Sequence, residues 1–82
     1  MEYRLSFKPN AIKQLERLDR VVQHRISGKL DLLMTDLQGD VKRLTNFSPD
    51  YRLRIGDWRV LFEVDGDQIV VHRVLHRSEA YD

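Results

Sequence analysis

The sequence predicts an α+β domain with the order β-α-α-β-β-β: an N-terminal strand, a two-helix hairpin, and a three-stranded antiparallel meander that completes one sheet. Three observations indicate this class. Apolar residues alternate with polar ones at the N-terminus, then recur at helical spacing over residues 11–37. Alternation returns over residues 51–75, where two glycine-containing turns separate three apolar runs. Since 82 residues allow one domain, we expect residues 1–82 to form a single unit.

The first half of the chain is predicted to supply one strand and the helices that cover the sheet. Tyr3, Leu5 and Phe7 alternate with polar residues, which is typical of a half-buried strand. Pro9 suits the opening turn of a short amphipathic helix. Asp19 is a good N-cap for a second, longer helix.

The end of the second helix and the segment after it are less regular. Gly28 lies inside the helix, where glycine costs up to ~1 kcal/mol relative to alanine, so we expect a close approach of helix and sheet there. Gly39 is predicted to end the helix. Residues 40–50 are predicted to be a linker to the meander.

Residues 51–75 are predicted to form the three strands of the meander. Residues 51–55 alternate between apolar side chains and arginines, and Gly56-Asp57 closes the first hairpin. Residues 58–64 form the second strand, which ends at a turn containing Gly66-Asp67. Residues 68–75 are apolar almost throughout, which indicates a central strand buried on both faces.

Composition and motifs narrow the classes of function. The chain has 14 Lys+Arg and 13 Asp+Glu, so its net charge of +1 does not by itself indicate a nucleic-acid binder. It has no cysteine, which fits a reducing cytoplasm, and neither a membrane-spanning apolar run nor a signal-peptide pattern. It also lacks phosphate-loop, nucleophile and metal-ligand motifs, so we expect neither a metal nor a small-molecule cofactor.

Three arginines of the meander are the first candidate site. Arg52, Arg54 and Arg59 are placed so that strand geometry puts all three on the sheet face turned away from the helices. Like charges this close destabilise a sheet, and Glu63 is the one obvious carboxylate on that face. A solvated polar face is the simpler interpretation. The shortage of acidic partners favours an anion site instead, most naturally for nucleic-acid phosphates.

The histidines and the last tyrosine are candidates for proton transfer. His24 is predicted to be a surface residue, and His72, within an apolar strand, a hydrogen-bonded core residue and not a catalyst. His76, followed by Arg77, is the best candidate of the three, because we expect it beside the three arginines. Tyr81 is either an apolar pin for the terminus or a catalytic group, since nearby guanidinium groups favour a phenolate. Such a pocket could cleave RNA without a metal.

The segment from Tyr51 to Tyr81 resembles the C-terminal half of the RelE/ParE superfamily of type II toxins, and the RelE branch most. It reads YRLRIGDWRVLFEVDGDQIVVHRVLHRSEAY, and the order of elements extends the resemblance over the whole chain. The resemblance implies a ribosome-dependent mRNA endonuclease that enters the A site of the 70S ribosome, beside 16S rRNA, and inhibits translation. It also implies a cytoplasmic protein neutralised by a RelB-like antitoxin.

The resemblance also implies roles for the arginines. Arg52 and Arg54 would stabilise the transition-state phosphate or help activate the 2′-OH of the message. Arg59 would clamp the phosphate, and Arg77 would assist the leaving 5′-oxygen. Some relatives have lysines at the positions of Arg52 and Arg54. Because arginine does not deprotonate, the general base is then expected elsewhere.

The general base would accordingly be Tyr81, which could also stack on a nucleobase, or His76. Two other functions stay open. The first is that of the ParE branch, a gyrase poison with the same fold and no nuclease site, although the arginines and Tyr81 argue against it. The second is a non-enzymatic module whose sheet holds a partner helix.

Overall fold

The structure, a computed structural model, describes residues 1–80 and consists of one five-stranded sheet with two helices packed on one face. The predicted α+β class is confirmed, with one strand more than expected. The elements are β1 (Arg4–Phe7), α1 (Pro9–Glu16), α2 (Arg20–Asp36), β2 (Asp40–Arg43), β3 (Tyr51–Ile55), β4 (Trp58–Asp65) and β5 (Gln68–His76).

The strands follow the order β1-β5-β4-β3-β2 across the sheet. Strands β3, β4 and β5 form the antiparallel meander that the sequence predicts, with two-residue turns at Gly56-Asp57 and Gly66-Asp67. β1 pairs with β5 in parallel, with Phe7 opposite Val71, so the sheet is mixed and not wholly antiparallel. β5 is an interior strand, as expected. It is not buried on both faces along its whole length, because Arg73 on the face without helices is exposed.

β2 corrects the prediction that residues 40–50 are a linker. Asp40–Arg43 pairs antiparallel with β3 as the edge strand of the sheet. Val41 is its one half-buried residue and the other three are exposed, so the sequence carries no apolar alternation that could reveal a strand. Residues 44–50 form the connecting loop, which is held by a 2.7 Å hydrogen bond from the Leu44 N–H to the Asp50 carbonyl.

The two helices pack on one face of the sheet, and together they form the core with the side chains of that face. Ile26, Leu30 and Leu33 of α2 are buried against the inward-facing residues of β3, β4 and β5. The predicted N-cap is confirmed, because Asp19 accepts a hydrogen bond from the Val22 N–H at 3.0 Å. The helix ends earlier than expected, at Asp36, and the residue in the left-handed conformation is Leu37 (φ 53°). Neither described helix is long and apolar enough to cross a membrane.

Gly28 and Gly39 differ in the space around them, which the sequence does not show. Around Gly28 no atom lies within 4 Å of the position of an added Cβ, so the expected close approach of helix and sheet is wrong. Gly39 has φ +129°, and a Cβ there would lie 2.9 Å from Cδ1 of Leu53 in the core. The close contact therefore occurs where the chain enters β2.

We expect Gly39→Ala to lower the free energy of unfolding by at least ~1 kcal/mol, because the backbone angle disfavours a Cβ and the new methyl group overlaps Leu53. Gly28→Ala is the matched control, and should raise the free energy of unfolding by up to ~1 kcal/mol through helix propensity. Urea denaturation of both variants measures the difference. Equal effects of the two substitutions would contradict this account.

Candidate nucleic-acid interface

The sheet face without helices presents a group of basic residues in two rows across the strands. In one row Lys42 lies opposite Arg52, Arg52 opposite Leu61, and Leu61 opposite Arg73. In the other row Asp40 lies opposite Arg54, Arg54 opposite Arg59, and Arg59 opposite Leu75. Because side chains alternate along a strand, these residues lie on the side away from the core. We call this set the arginine face: Asp40, Lys42, Arg52, Arg54, Arg59, Leu61, Arg73 and Leu75.

The three predicted arginines share this face, as expected, but lie at different depths. Arg52 is 6% exposed and Arg59 is 4% exposed, whereas about half of the Arg54 side chain is accessible (53%). The simple picture of three solvated guanidinium groups is therefore wrong. Leu61 and Leu75 are also buried on this face. The arginine face is therefore apolar close to the strands and charged further out.

Arg59 is held by the turn between β3 and β4. Its Nη1 donates to the carbonyl of Gly56 at 2.7 Å and to the carbonyl of Trp58 at 3.0 Å. Hydrogen bonds from a charged donor are stronger than those between neutral groups, and these two restrict the guanidinium group to one orientation. Arg59 is therefore a fixed charge at the base of the arginine face.

Asp40 is the acidic partner that the sequence did not identify. Its Oδ1 lies 3.4 Å from Nη2 of Arg52, and its Oδ2 lies 3.3 Å from Nε of Arg54. One carboxylate on β2 thus bridges two arginines of β3. Glu63, the partner expected from the sequence, instead lies 2.9 Å from Nε2 of His72. The predicted shortage of acidic partners is therefore only partial.

Arg54 and Arg59 lie directly opposite each other on neighbouring strands. Two like charges in this position destabilise a sheet. The structure separates them, since Arg54 reaches toward Asp40 and Arg59 turns toward the backbone carbonyls of Gly56 and Trp58. An anion bound between the two guanidinium groups would offset their mutual repulsion.

His76 does not lie where the sequence predicts. It is opposite Trp58, and the two rings meet edge to face with centroids 5.3 Å apart. Trp58 packs against the core, so His76 is on the helix side of the sheet and not beside the arginines. Its Nδ1 lies 2.9 Å from Oγ of Ser78 and accepts the Ser78 N–H at 3.2 Å. Residue numbers near a strand end do not reveal the face, because register decides it.

Arg77 lies at the same turn that anchors Arg59. Its N–H donates to the Asp57 carbonyl at 2.8 Å, and its Nε lies 3.6 Å from Oδ1 of Asp57. Both side chains of this ion pair are more than half exposed, so the pair is weak and Arg77 is accessible to a ligand. The Gly56-Asp57 turn is thus hydrogen-bonded both to Arg59 of β4 and to Arg77, which follows β5.

The remaining predicted groups have separate outcomes. His24 is exposed on α2, as predicted. His72 is hydrogen-bonded to Glu63, as predicted, but it is only half-buried and does not belong to the core, so that part of the prediction is wrong. Tyr81 lies outside the described residues, so its role stays a prediction. Within residues 1–80 no group of three His, Cys, Asp or Glu side chains is placed to hold a metal ion.

Comparison with known proteins supplies the family. Residues 5–81 match the family model described as the ParE toxin of the type II toxin-antitoxin system, parDE. The chain belongs to the RelE/ParE toxin superfamily. The resemblance carried by Tyr51–Tyr81 is thereby confirmed.

Three archaeal proteins are similar to this toxin-family chain. Toxin RelE3 of Methanocaldococcus jannaschii is 43% identical over 49 residues, a match that spans 60% of this chain and 56% of that protein. RelE in the RelE-RelB complex of Pyrococcus horikoshii OT3 has 27% identity and a TM-score of 0.79, with 98% of this chain and 100% of that chain covered. The RelB-RelE complex of Methanococcus jannaschii gives 29% identity and a TM-score of 0.74 over 88% and 89% of the two chains.

Proposed function

We propose that this protein is the toxin of a type II toxin–antitoxin system and acts as a ribosome-dependent endoribonuclease that cleaves mRNA in the ribosomal A site and so inhibits translation. The observation that carries the proposal is the graded arrangement of arginines, with Arg52 and Arg59 buried and fixed and Arg54 and Arg77 accessible. The similarity to Toxin RelE3 and to RelE chains of solved complexes supports the nuclease branch of the superfamily.

The chemistry is a transfer within the RNA strand. A base removes the proton of a ribose 2′-OH, the 2′-oxygen attacks the adjacent phosphorus, and the bond from phosphorus to the 5′-oxygen breaks. The products are a 2′,3′-cyclic phosphate and a 5′-hydroxyl, which takes up a proton. Negative charge grows on the phosphate and on the leaving oxygen, so cationic donors at these two positions accelerate the reaction.

The arginines differ in how they meet these needs. Arg59 and Arg52 are held before substrate binds, by the Gly56 and Trp58 carbonyls and by Asp40, so little reorganisation accompanies the reaction. Arg54 is accessible and bonded to the same carboxylate, so an RNA phosphate can replace Asp40 as its partner. We assign assistance of the leaving 5′-oxygen to Arg77, since its side chain is accessible at the adjacent turn.

The general base is assigned to Tyr81. His76 faces Trp58 on the helix side of the sheet, so its position gives no support to a role in proton transfer at the arginine face. His76 is the last residue of β5, and Tyr81 follows it by five residues. The test compares mRNA cleavage by Tyr81→Phe with cleavage by His76→Gln. Loss of cleavage in the first variant alone is the result that this assignment requires.

We expect Arg54→Gln to slow mRNA cleavage on translating ribosomes about 10²- to 10³-fold, as removal of one donor to a developing anion does in other enzymes. Its free energy of unfolding should change by no more than ~0.5 kcal/mol, because the lost surface ion pair and the relieved repulsion with Arg59 are of similar size. Primer extension on purified ribosomes measures cleavage, and urea denaturation measures stability.

The control for this variant is Arg4→Gln, which removes another strand arginine that is paired with one aspartate, Asp67, at 3.1 Å. Arg4 lies at the far end of the sheet, opposite Gln68. The Arg4→Gln variant should cleave mRNA at the rate of the unsubstituted protein. Equal activity of the two variants would contradict the assignment of Arg54.

The proposal includes a cognate RelB-like antitoxin, with mRNA, 16S rRNA and the 70S ribosome as the other partners and the cytoplasm as the place of action. The solved RelE relatives of Pyrococcus horikoshii and Methanococcus jannaschii are in complexes with RelB. Co-expression with the product of the neighbouring reading frame, followed by co-purification and relief of toxicity, tests this part of the proposal.

A second candidate function follows from the family model, whose description is that of a ParE toxin. Under this alternative the chain poisons gyrase and needs no nuclease site. Induction of the gene separates the two candidates, because a nuclease leaves cleaved messages and a gyrase poison causes DNA damage. A non-catalytic module would instead keep any toxicity after Arg52→Ala, Arg59→Ala and Tyr81→Phe.

A further inference from the structure

An irregular position in β5 changes which side chains reach the arginine face. Leu61 of β4 pairs with Arg73, but its neighbour Phe62 pairs with Val71, so β5 has one extra residue, His72. This is a β-bulge, a feature that redirects side chains and is common next to functional sites. The Val74 N–H beside it donates to Oε1 of Gln14 on α1 at 2.7 Å, so α1 supports the irregular backbone.

The bulge places two consecutive side chains on one face. Arg73 is on the arginine face because it lies opposite Leu61. His72 reaches the same side, since it contacts Glu63, which lies two residues after Leu61 in β4 and so on the same face. A regular strand would send one of the two residues into the core. The bulge therefore adds an exposed arginine to a face that already holds Arg52 and Arg59.

Arg73 lies close enough to these arginines to follow the same RNA strand. It is displaced by two residues from Leu75, the partner of Arg59, and such diagonal neighbours are about 7–8 Å apart at their backbones. It lies two strands from Arg52, or about 10 Å. Long arginine side chains bridge these separations, so a phosphate bound by Arg73 and one bound at Arg59 can belong to successive nucleotides.

A cleft opens beside Arg73 and continues the basic surface. It has a volume of about 490 Å³ and is lined by Lys8, Pro9, Asn10, Ser48, Pro49, His72 and Arg73. Lys8 is fixed next to the bulge, because its N–H donates to the Val71 carbonyl at 2.8 Å. Two exposed cations, an asparagine and a serine are thus placed around one opening, a composition that suits a phosphate diester and its ribose.

We propose that this cleft is a second phosphate subsite, in which Arg73 and Lys8 bind the RNA backbone next to the cleaved phosphate. The proposal rests on the proposed function and adds to it a residue that sets the register of the RNA. Arg73 binds and positions the strand, and the chemistry stays with the arginines around the Gly56-Asp57 turn.

The test measures binding without cleavage. The probe is a fluorescent ten-nucleotide single-stranded RNA with 2′-O-methyl riboses, which has no nucleophile, and its Kd is followed by anisotropy between about 50 and 200 mM KCl. The slope of log K against log salt counts the phosphates that are neutralised, at about 0.7 for each contact to a single strand. We expect Arg73→Ala and Lys8→Ala each to reduce the slope by about 0.7 and to weaken binding several-fold at the lowest salt.

Arg20→Ala is the matched control, because Arg20 is an exposed arginine at the start of α2 on the helix side of the sheet. It should leave the slope unchanged. If the unsubstituted protein binds the RNA and Arg73→Ala keeps its slope, the subsite is overturned while the proposed function stands. If the unsubstituted protein does not bind the RNA at all, the subsite is overturned, and the proposed function is decided separately by mRNA cleavage on translating ribosomes. A loss of antitoxin affinity in Arg73→Ala with an unchanged RNA slope would also overturn the subsite, and would assign the cleft to a protein partner.

Discussion

Arg59→Met is expected to abolish mRNA cleavage and to lower the free energy of unfolding by about 2–4 kcal/mol. Methionine keeps much of the apolar stem but removes the guanidinium group that serves the Gly56 and Trp58 carbonyls. The two carbonyls flank Asp57, which also binds Arg77, so the loss affects stability and the site together. Urea denaturation gives the first effect, and primer extension on translating ribosomes gives the second.

Arg59→Lys separates charge from geometry at the same position. A lysine keeps the positive charge but lacks the planar fork that fixes the orientation of the arginine. We expect it to recover part of the stability and little of the activity. If Arg59→Met instead proved as stable and as active as the unsubstituted protein, the role of Arg59 as a fixed charge would be wrong.

Phe62→Ala is expected to remove the cooperative fold of the isolated protein at 37 °C. Phe62 is completely buried on β4, and its ring stacks on Tyr51 with centroids 5.5 Å apart. Truncation of a buried phenylalanine costs about 3–5 kcal/mol, which is comparable to the whole stability that a core supplies in a domain of this size. Circular dichroism during thermal unfolding should show no sharp transition.

The same variant should regain its fold when it is produced with the antitoxin, because a partner that binds only the folded state adds to its stability. Phe62→Leu is the control, since it keeps most of the apolar volume and should unfold cooperatively at a lower temperature. A sharp thermal transition of Phe62→Ala near that of the unsubstituted protein would show that the core tolerates a large cavity.

The fold was predictable where apolar periodicity and turn residues agree. Both hairpin turns and the N-cap at Asp19 follow from local chemistry that the sequence displays directly. β2 could not be predicted, because an edge strand of four residues needs only one apolar contact, which Val41 supplies. The structural roles of Gly28 and Gly39 do not follow from the sequence, since they depend on backbone angles and on distant neighbours such as Leu53.

The sequence predicts which arginines share one face of the sheet, but not how deeply they are buried or which groups they contact. Strand parity puts Arg52, Arg54 and Arg59 together, but it contains no information about depth, which depends on what covers the face. Asp40, the carboxylate partner of Arg52 and Arg54, lies in a segment whose sequence has no strand pattern. Arg73 depends on a register shift, and such shifts arise from the pairing of two strands and not from the sequence of either.

The parallel pairing of β1 with β5 also determines when this protein can fold. Leu5 has its partner at Ile69, near the other end of the chain. β1 therefore stays unpaired while the residues up to β5 are synthesised, which takes several seconds at about 5–20 residues per second. Contacts of such long sequence separation also slow folding. A nascent chain thus carries no complete sheet until β5 has been synthesised.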